Sequence, residues 1–410
     1  MTDTPDLRLG VVGLGMRSDL AELAHRPGAG SRIAAVCDPD PTRRAEAPAR
    51  FGPEVATTSD PGALAAMDLD AVFVLSPDHT HEEVGVALLE AGVPIFLEKP
   101  MAITTDGCDR LLTAARKSGA RLYVGHNMRH LPVITAMREL IVSGAVGEVK
   151  AIWCRHFVGN GGDFYFKDWH ADRRNTTGLL LQKGAHDIDV IHWLADGYTR
   201  RVTGMGGLAV YGQIDDRRPP SGGLMIEWLD PEHNWPPLRQ TGLNPVVDVE
   251  DLSMVHMQLD NGVYASYEQC HFTPDYWRNY TVIGTEGRLE NFGDGADGSV
   301  IKVWNRRGDY RPEPDLTVPV QTPQGTHGGA DPLLVAEFLE FVRHGGTTLT
   351  SPVAAREAVA TGYAATMSLR DGSSPRDIDP VADDLAEYFA TGQTESGQVP
   401  TALDPPCVLT

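Results

Sequence analysis

Three stretches of this chain hold residues whose types and spacing can do chemistry. In Gly10-Val11-Val12-Gly13-Leu14-Gly15-Met16-Arg17-Ser18, an apolar run turns sharply into a helical stretch. Gly13 permits the tight turn and Gly15 removes the Cβ that would strike a pyrophosphate. The backbone of Gly13, Leu14, Gly15 and Met16 can therefore close on an anion at a helix start. Ser18 stands at the third glycine position of G-x-G-x-x-G and still leaves room for close packing. Asp38 ends the next apolar run, near the ~20 residues further on at which a carboxylate accepts ribose hydroxyls. Such a carboxylate repels a 2′-phosphate, so the cofactor expected is NAD, with NADP not excluded. Arg43 and Arg44 read as solvated cations on a helix start.

The second stretch, Phe96-Leu97-Glu98-Lys99-Pro100, puts a charged pair at the end of an apolar strand. In a doubly wound sheet that end borders the ligand crevice, where burial or a neighbouring cation lowers a lysine pKa from ~10.4. The third, Gly184 to Leu194, reads as a helix with His186, Asp189, Val190 and Trp193 on one side. His186 can then face the crevice, although a histidine there is as readily a hydrogen-bonded core residue. His79 and His81 form an H-x-H pair without a third ligand, so no metal is expected. His79 borders the cofactor instead and His81 starts a helix. Asp331 reads as the N-cap before Pro332, with the preceding glycine pair an alternative route for His327 or Asp331 to a substrate. Met16 and Trp193 read as packing residues as well, and Trp277 and Tyr280 as sheet-face residues.

The elements that must position these groups alternate at first. Strands at 7–12, 32–37, 71–75, 94–97 and 121–124 are separated by helices at 19–25, 42–51, 81–91 and 105–118, the pattern of parallel βαβ units. This predicts a nucleotide-binding, doubly wound α/β domain over 1–127. Beyond it, a helix at 132–143, a strand at 149–157, a helix at 183–194 and several strands between 202 and 320 predict a second, α+β domain over 128–372. Asp260-Asn261-Gly262 is a hairpin turn between two strands. Helices at 332–343 and 352–370 pack back on the body, and 373–410, rich in Pro, Asp, Gly and Thr, reads as a poorly packed tail.

Composition narrows the field. With 35 Lys and Arg against 56 Asp and Glu, the net charge of −21 disfavours nucleic acid and anionic membranes as partners. No apolar run approaches the ~20 residues of a membrane span, and the acidic start shows no export signal. Five scattered cysteines without a C-x-x-C pair predict neither a disulfide framework nor structural zinc. The expectation is a cytoplasmic protein.

Taken in order, Gly13-x-Gly15, Asp38, Ser76-Pro77-Asp78-His79-Thr80-His81, Glu98-Lys99-Pro100, Asn127-x-Arg129, the His186 helix and Ile283-Gly284-Thr285-Glu286-Gly287-Arg288-Leu289 resemble the Gfo/Idh/MocA oxidoreductases. The resemblance runs from about residue 7 to 370. It implies an N-terminal Rossmann domain that binds NAD(P) and a C-terminal domain with a large, open, mostly antiparallel sheet. That sheet would join a homodimer or homotetramer. The implied reaction is reversible oxidation of a secondary hydroxyl of a sugar, cyclitol or related polyol. Lys99 matches the family lysine that hydrogen-bonds the reacting oxygen, and His186 matches the acid/base histidine of D-x-x-x-H. With an ordinary pKa near ~6.5 it would accept the hydroxyl proton. Here the chain departs from the pattern, because Gln182 stands where the aspartate belongs. Lys183, beside it, is a further candidate for catalysis or substrate contact. Ser76, His79, Glu98 and Asn127 fall on the cofactor side. Trp169, His170 and Arg173 lie in a segment that passes over the nicotinamide in relatives, and with Gln182 they are substrate candidates.

Two other functions fit the same residues. One is a glycoside-cleaving enzyme that retains NAD and works by transient oxidation and elimination. It needs a second acid/base that the sequence does not reveal. The other is a non-catalytic dinucleotide sensor, against which the presence of both Lys99 and His186 speaks.

Overall fold

The computed structural model describes residues 5–219, 222–295, 298–321, 323 and 326–394. Six short strands open the chain: β1 (Leu7–Val12), β2 (Ser31–Cys37), β3 (Ala56–Thr58), β4 (Ala71–Val74), β5 (Ile95–Glu98) and β6 (Leu122–Gly125). They pair in parallel in the order β3-β2-β1-β4-β5-β6. Helices α1 (Asp19–Ala24), α2 (Pro41–Phe51), α3 (His81–Glu90) and α4 (Thr105–Ser118) connect them. β4 and β5 are wholly buried, as strands covered on both faces must be, which is why they read as unbroken apolar runs. The residues of β3 are exposed at the sheet edge, Thr58 alone being half-buried, and carry no such run, so the sequence pattern passes over them. α4 begins where Thr104 accepts the Gly107 amide at 3.0 Å and ends at Gly119 with φ +72°.

The rest of the chain builds a nine-stranded sheet. Its helices are α5 (Pro132–Val142), the short turns α6 (Gly161–Phe164), α7 (Arg173–Thr176) and α8 (Leu179–Gln182), and then α9 (Gly184–Ala195). Its strands are β7 (Val149–Phe157), β8 (Thr199–Gly207), β9 (Leu252–Leu259), β10 (Tyr264–Cys270), β11 (Trp277–Gly284), β12 (Arg288–Phe292), β13 (Val300–Trp304) and β14 (Leu316–Pro319). With β15 (Arg376–Asp377) the order is β14-β13-β12-β11-β7-β10-β9-β8-β15, antiparallel except where β10 meets β7. In β9, Ser253, Val255, Met257 and Leu259 are buried while the alternate residues are exposed, so one face packs on α9 and the other is open. The Asn261-Gly262 turn joins β9 to β10, with Gly262 at φ +84°.

The late helices do more than pack back. α10 (Ala330–His344) carries Leu334, Val335 and Phe338 onto Phe73, Phe96 and Tyr123, so it covers one face of the first sheet. α11 (Pro352–Arg370) contributes Ala355 and Val359 to the core on the opposite face. The expectation of a poorly packed tail differs from what is found up to Thr394. β15 pairs with β8, and α12 (Asp383–Ala390) buries Tyr388 and Phe389 in the first sheet's core. Gln393 exchanges two hydrogen bonds with the backbone of Leu122, at 2.8 and 2.7 Å. The apolar residues of α12 are few but amphipathically spaced, and the surrounding Pro and Asp mask them in composition. Residues 395–410 of that tail lie outside the described residues. Among the described residues no helix is long and apolar enough to cross a membrane.

Candidate active site

The C-terminal ends of β1, β2, β4 and β5 meet where the strand order reverses, the place at which open α/β sheets take ligands. Gly13 adopts φ +94°, and a Cβ added there would lie 2.8 Å from the backbone of Leu75 and Ser76. Only glycine lets this turn close against the end of β4. The Gly13 amide donates to the Cys37 carbonyl and the Leu14 amide to Asp38 Oδ2, both at 2.8 Å. The other Asp38 oxygen accepts the Asp40 amide at 2.8 Å, so a buried carboxylate holds the loop to the end of β2. At Gly15 an added Cβ would meet only the Arg43 guanidinium, at 3.8 Å. The mouth of the loop is an open cradle with Met16 at its lip, 41% exposed and therefore not the packing residue it also reads as. The arginines are not freely solvated either. Arg44 donates to the Asp38 and Pro39 carbonyls at 2.6 and 2.9 Å, and Arg43 reaches the Gly222 carbonyl at 3.4 Å. An open, glycine-shaped cradle with a carboxylate at the next strand end fits a dinucleotide.

One hub ties this loop to the rest of the rim. Glu98 accepts Arg17 Nε at 2.7 Å and the Lys99 amide at 2.5 Å. Arg17 continues to both oxygens of Asp331 at 2.9 and 3.2 Å, where Asn127 Nδ2 also donates at 3.1 Å. His327 Nδ1 lies 2.7 Å from the same carboxylate. Asp331 is thus no N-cap: His327, Gly328 and Gly329 all take positive φ, Gly329 occupies the cap, and Asp331 turns inward. Burial opposes its ionisation, yet the bonds from His327 and Arg17 hold its carboxyl well below the usual range. Sequence reasoning missed Arg17 because its partners are distant in the chain.

At the end of β5, Lys99 Nζ approaches the Gln182 carbonyl at 3.5 Å. Burial pushes its pKa down, Glu98 and Asp78 oppose that, and Lys183 adds to it. Asp78, buried in the turn after β4, is pushed up by burial against the pull of Lys99. Ser76 pairs its hydroxyl with Thr80 at 2.6 Å. His81 is bracketed by the Ser76 and Pro100 carbonyls, each at 2.8 Å, and so fastens the β4 turn to the β5 turn. His79 meets Trp169 edge-on at 6.2 Å, and Trp169 stacks on His170 at 3.6 Å.

The second domain supplies the facing wall from α8 and α9. His186 is buried 6.1 Å from the His126 ring, and its Nδ1 has no hydrogen-bond partner. Burial, with Lys99 and Lys183 nearby, holds it well below the ordinary histidine range, so it is a neutral imidazole at pH 7. Lys183 lies over the Tyr165 ring at 5.7 Å and is pushed down to about 8 by burial and Arg278. Tyr165 also meets the His170 and His271 rings at 5.2 and 5.4 Å. Behind them, Arg278 Nε lies 3.0 Å from Asp187, which also accepts from Tyr267 at 2.9 Å and Tyr280 at 2.5 Å. Tyr280 is a sheet-face residue, but of the inner face.

The structure gathers Lys99, Gln182, Lys183, His186 and His170, and adds Asp78, Tyr165, His271 and Arg278. Asp78 lay inside a stretch singled out in the sequence; the irregular segment around Tyr165 offers no periodicity that would reveal it. Arg173 is not gathered. Its amide and guanidinium are bound to Asp248 at 2.8 and 2.6 Å, and among the described residues no contact links it to Lys99 or His186. Asp189 and Trp193 also turn from the cleft: Arg129 grips Asp189 at 2.7 and 2.9 Å and lies over the Trp193 ring at 5.4 Å. Among the described residues no group of three or more His, Cys, Asp or Glu is placed to hold a metal.

Residues 7–126 match an oxidoreductase family with an NAD-binding Rossmann fold, and residues 134–290 match the GFO/IDH/MocA C-terminal domain. Together the two matches span well over half of the chain. The Bacillus subtilis protein YteT is 25% identical over 348 residues, which cover 75% of this chain and 81% of YteT. Inositol 2-dehydrogenase 1 of Saccharopolyspora erythraea is 33% identical over 200 residues, 48% of this chain and 57% of that enzyme. The chain thus spans little more than half the length of that dehydrogenase. In three dimensions a levoglucosan dehydrogenase in complex with NADH and levoglucosan superimposes with a TM-score of 0.72 at 20% identity, over 91% of this chain and 99% of that one. At that identity the likeness is one of fold.

Proposed function

Because the chain belongs to the Gfo/Idh/MocA family of NAD-binding oxidoreductases, we propose that it oxidises a secondary hydroxyl of a sugar, cyclitol or related polyol with NAD. The observation that carries this reading is the approach of the Lys99 ammonium, at the strand end beside the phosphate loop, to the Gln182 carbonyl, one turn before His186. The substrate hydroxyl binds between those two side chains. When bound, NAD supplies the acceptor for the hydrogen and electron pair leaving the carbinol carbon. Neutral His186 takes the hydroxyl proton, and Lys99 donates a hydrogen bond to the oxygen as negative charge grows on it. Gly13, Leu14, Gly15 and Met16 hold the pyrophosphate. Asp38 binds the ribose hydroxyls, which favours NAD over NADP. Ser76, His79, Glu98 and Asn127 border the cofactor, and Trp169 closes over it.

The open face of the nine-stranded sheet, with Trp153, Met205, Met254 and Tyr264 exposed, supports association of two or four copies through it. The thiols of Cys37, Cys108, Cys154 and Cys270 are free, in keeping with a cytoplasmic setting. The test is a panel of sugars and polyols with NAD and NADP, read as reduced cofactor, after mass spectrometry of the purified protein for bound dinucleotide. Substrate consumption without accumulation of reduced cofactor would favour the redox-neutral, bond-cleaving reading.

A further inference from the structure

The cleft holds two ammonium groups in unequal company. Lys99 Nζ reaches the Gln182 carbonyl at 3.5 Å and lies in the field of Glu98 and Asp78, although neither carboxylate is in ion-pair contact with it. Among the described residues the Lys183 ammonium makes no hydrogen bond and has no carboxylate oxygen within 4.0 Å. The two carboxylates that act on it, Asp187 and Asp294, are already committed. Arg278 binds them at 3.0 and 3.5 Å; Tyr267, Tyr280 and His156 fill the rest of Asp187, and Tyr276 donates to Asp294. The imidazoles near Lys183, those of His170, His186 and His271, are kept neutral by burial and bring no counter-charge.

An ammonium held in a cleft with no carboxylate in contact carries a standing desolvation cost. Around it both nitrogens of His271, Nδ1 of His170 and of His186, and Gln182 Oε1 are buried without hydrogen-bond partners. A ligand bearing several hydroxyls and one negative charge would satisfy the whole set. A planar monoanion suits a single ammonium. The guanidinium fork that a phosphate favours is closed here, because Arg278 is bound to Asp187.

We propose that the substrate is a carboxylated polyol, an acidic sugar or cyclitol, whose carboxylate pairs with Lys183 while the reacting hydroxyl lies between Lys99 and His186. This rests on the dehydrogenase reading and narrows its substrate class.

The test titrates the protein loaded with NADH, by calorimetry, with D-glucuronate, D-galacturonate and D-gluconate against D-glucose, D-galactose and myo-inositol. At least one acid should bind about tenfold or more tightly than its neutral counterpart. Its affinity should fall as pH rises through about 8, where Lys183 gives up its proton. Lys183→Gln should erase the advantage of the acid, a loss of about ten- to a hundredfold, whereas Lys183→Arg should keep part of it. The assignment is overturned if no acid outbinds its neutral counterpart, or if Lys183→Gln leaves the preference intact. It is equally overturned if glucose 6-phosphate outbinds every carboxylate. Turnover separates the two layers. Reduction of NAD by neutral polyols alone leaves the dehydrogenase standing and removes the carboxylate. Lysine-dependent binding of an acid, with no substrate of either kind reducing NAD, removes the dehydrogenase and keeps the anion site.

Discussion

The two walls of the cleft are finished to different degrees. On the wall made by the first sheet most charges already have a protein partner, although Asp78 Oδ2 and both ring nitrogens of His126 are left without a hydrogen bond. Asp38 holds two amides, Glu98 holds Arg17 and the Lys99 amide, and Asp331 gathers Arg17, Asn127 and His327. The wall made by α8, α9 and the segment around Tyr165 leaves more of its groups open, with buried imidazole nitrogens of His170, His186 and His271 and the Gln182 amide oxygen without partners. Buried polar groups are nearly always satisfied, so an unpaired set lining one wall marks where a ligand completes the structure. The difference teaches that the phosphate-loop rim is largely organised in advance, whereas the facing wall leaves more polar groups for a ligand to complete.

Substitutions test that division, beginning with the largest effect. Lys99→Met should abolish turnover, at least ~10³-fold, because the developing oxyanion loses its cationic donor. NAD affinity measured by calorimetry should stay within a few-fold; a parallel loss of both would erase the distinction between the walls. His186→Ala should lower kcat by about 10²–10⁴, the usual range for a general base. In the wild-type enzyme the acid limb of kcat/KM should lie below the ordinary histidine range. A base at His186 would work only when neutral, and burial pushes its pKa down. A limb centred at pH 6.5 would show that His186 is solvated and ordinary.

Removing partners behind the second wall should act on stability. Asp187→Ala leaves the buried Arg278 without its main counter-charge and should cost about 3–5 kcal/mol in denaturant unfolding. A variant as stable as the parent would mean that Arg278 is hydrated. Gly13→Ala should cost about 1–3 kcal/mol of strain and weaken NAD binding, since a Cβ there meets backbone 2.8 Å away.

The smallest effect is one of pH. The Asp331 carboxyl is held below its ordinary 3.8, so its contribution to stability is complete above about pH 4 and drains away as pH falls below that. Asp331→Asn should flatten the unfolding free energy over that acid range only. An equally steep acid dependence in the variant would assign it to other carboxylates.

The same division governs what was legible in the sequence. The glycine loop, Asp38 and the Glu98-Lys99 pair could be placed at the rim because their positions follow from local backbone and from where a strand ends. The helices 105–118 and 352–370 and the strand 149–157 could be placed because apolar spacing and end residues agree. Arg17 could not be read, because its partners Glu98 and Asp331 are brought to it only by the fold. Nor could the setting of Lys183, which depends on Tyr165 and Arg278 arriving from separate segments beside Asp187 of its own helix. Asp331 was misplaced for a local reason: a run of left-handed residues shifts the helix start by a position or two and turns an expected cap inward.

The pairing of Gln393 with Leu122 has a consequence for how the molecule stays single-layered. β6 is the outermost strand of the six-stranded sheet, and an uncovered border of this kind offers a template to any extended segment from another molecule. The glutamine amide imitates one further backbone unit and closes that ladder at its first rung. Truncation just before it should therefore yield protein that folds, yet clumps edge to edge as its concentration rises.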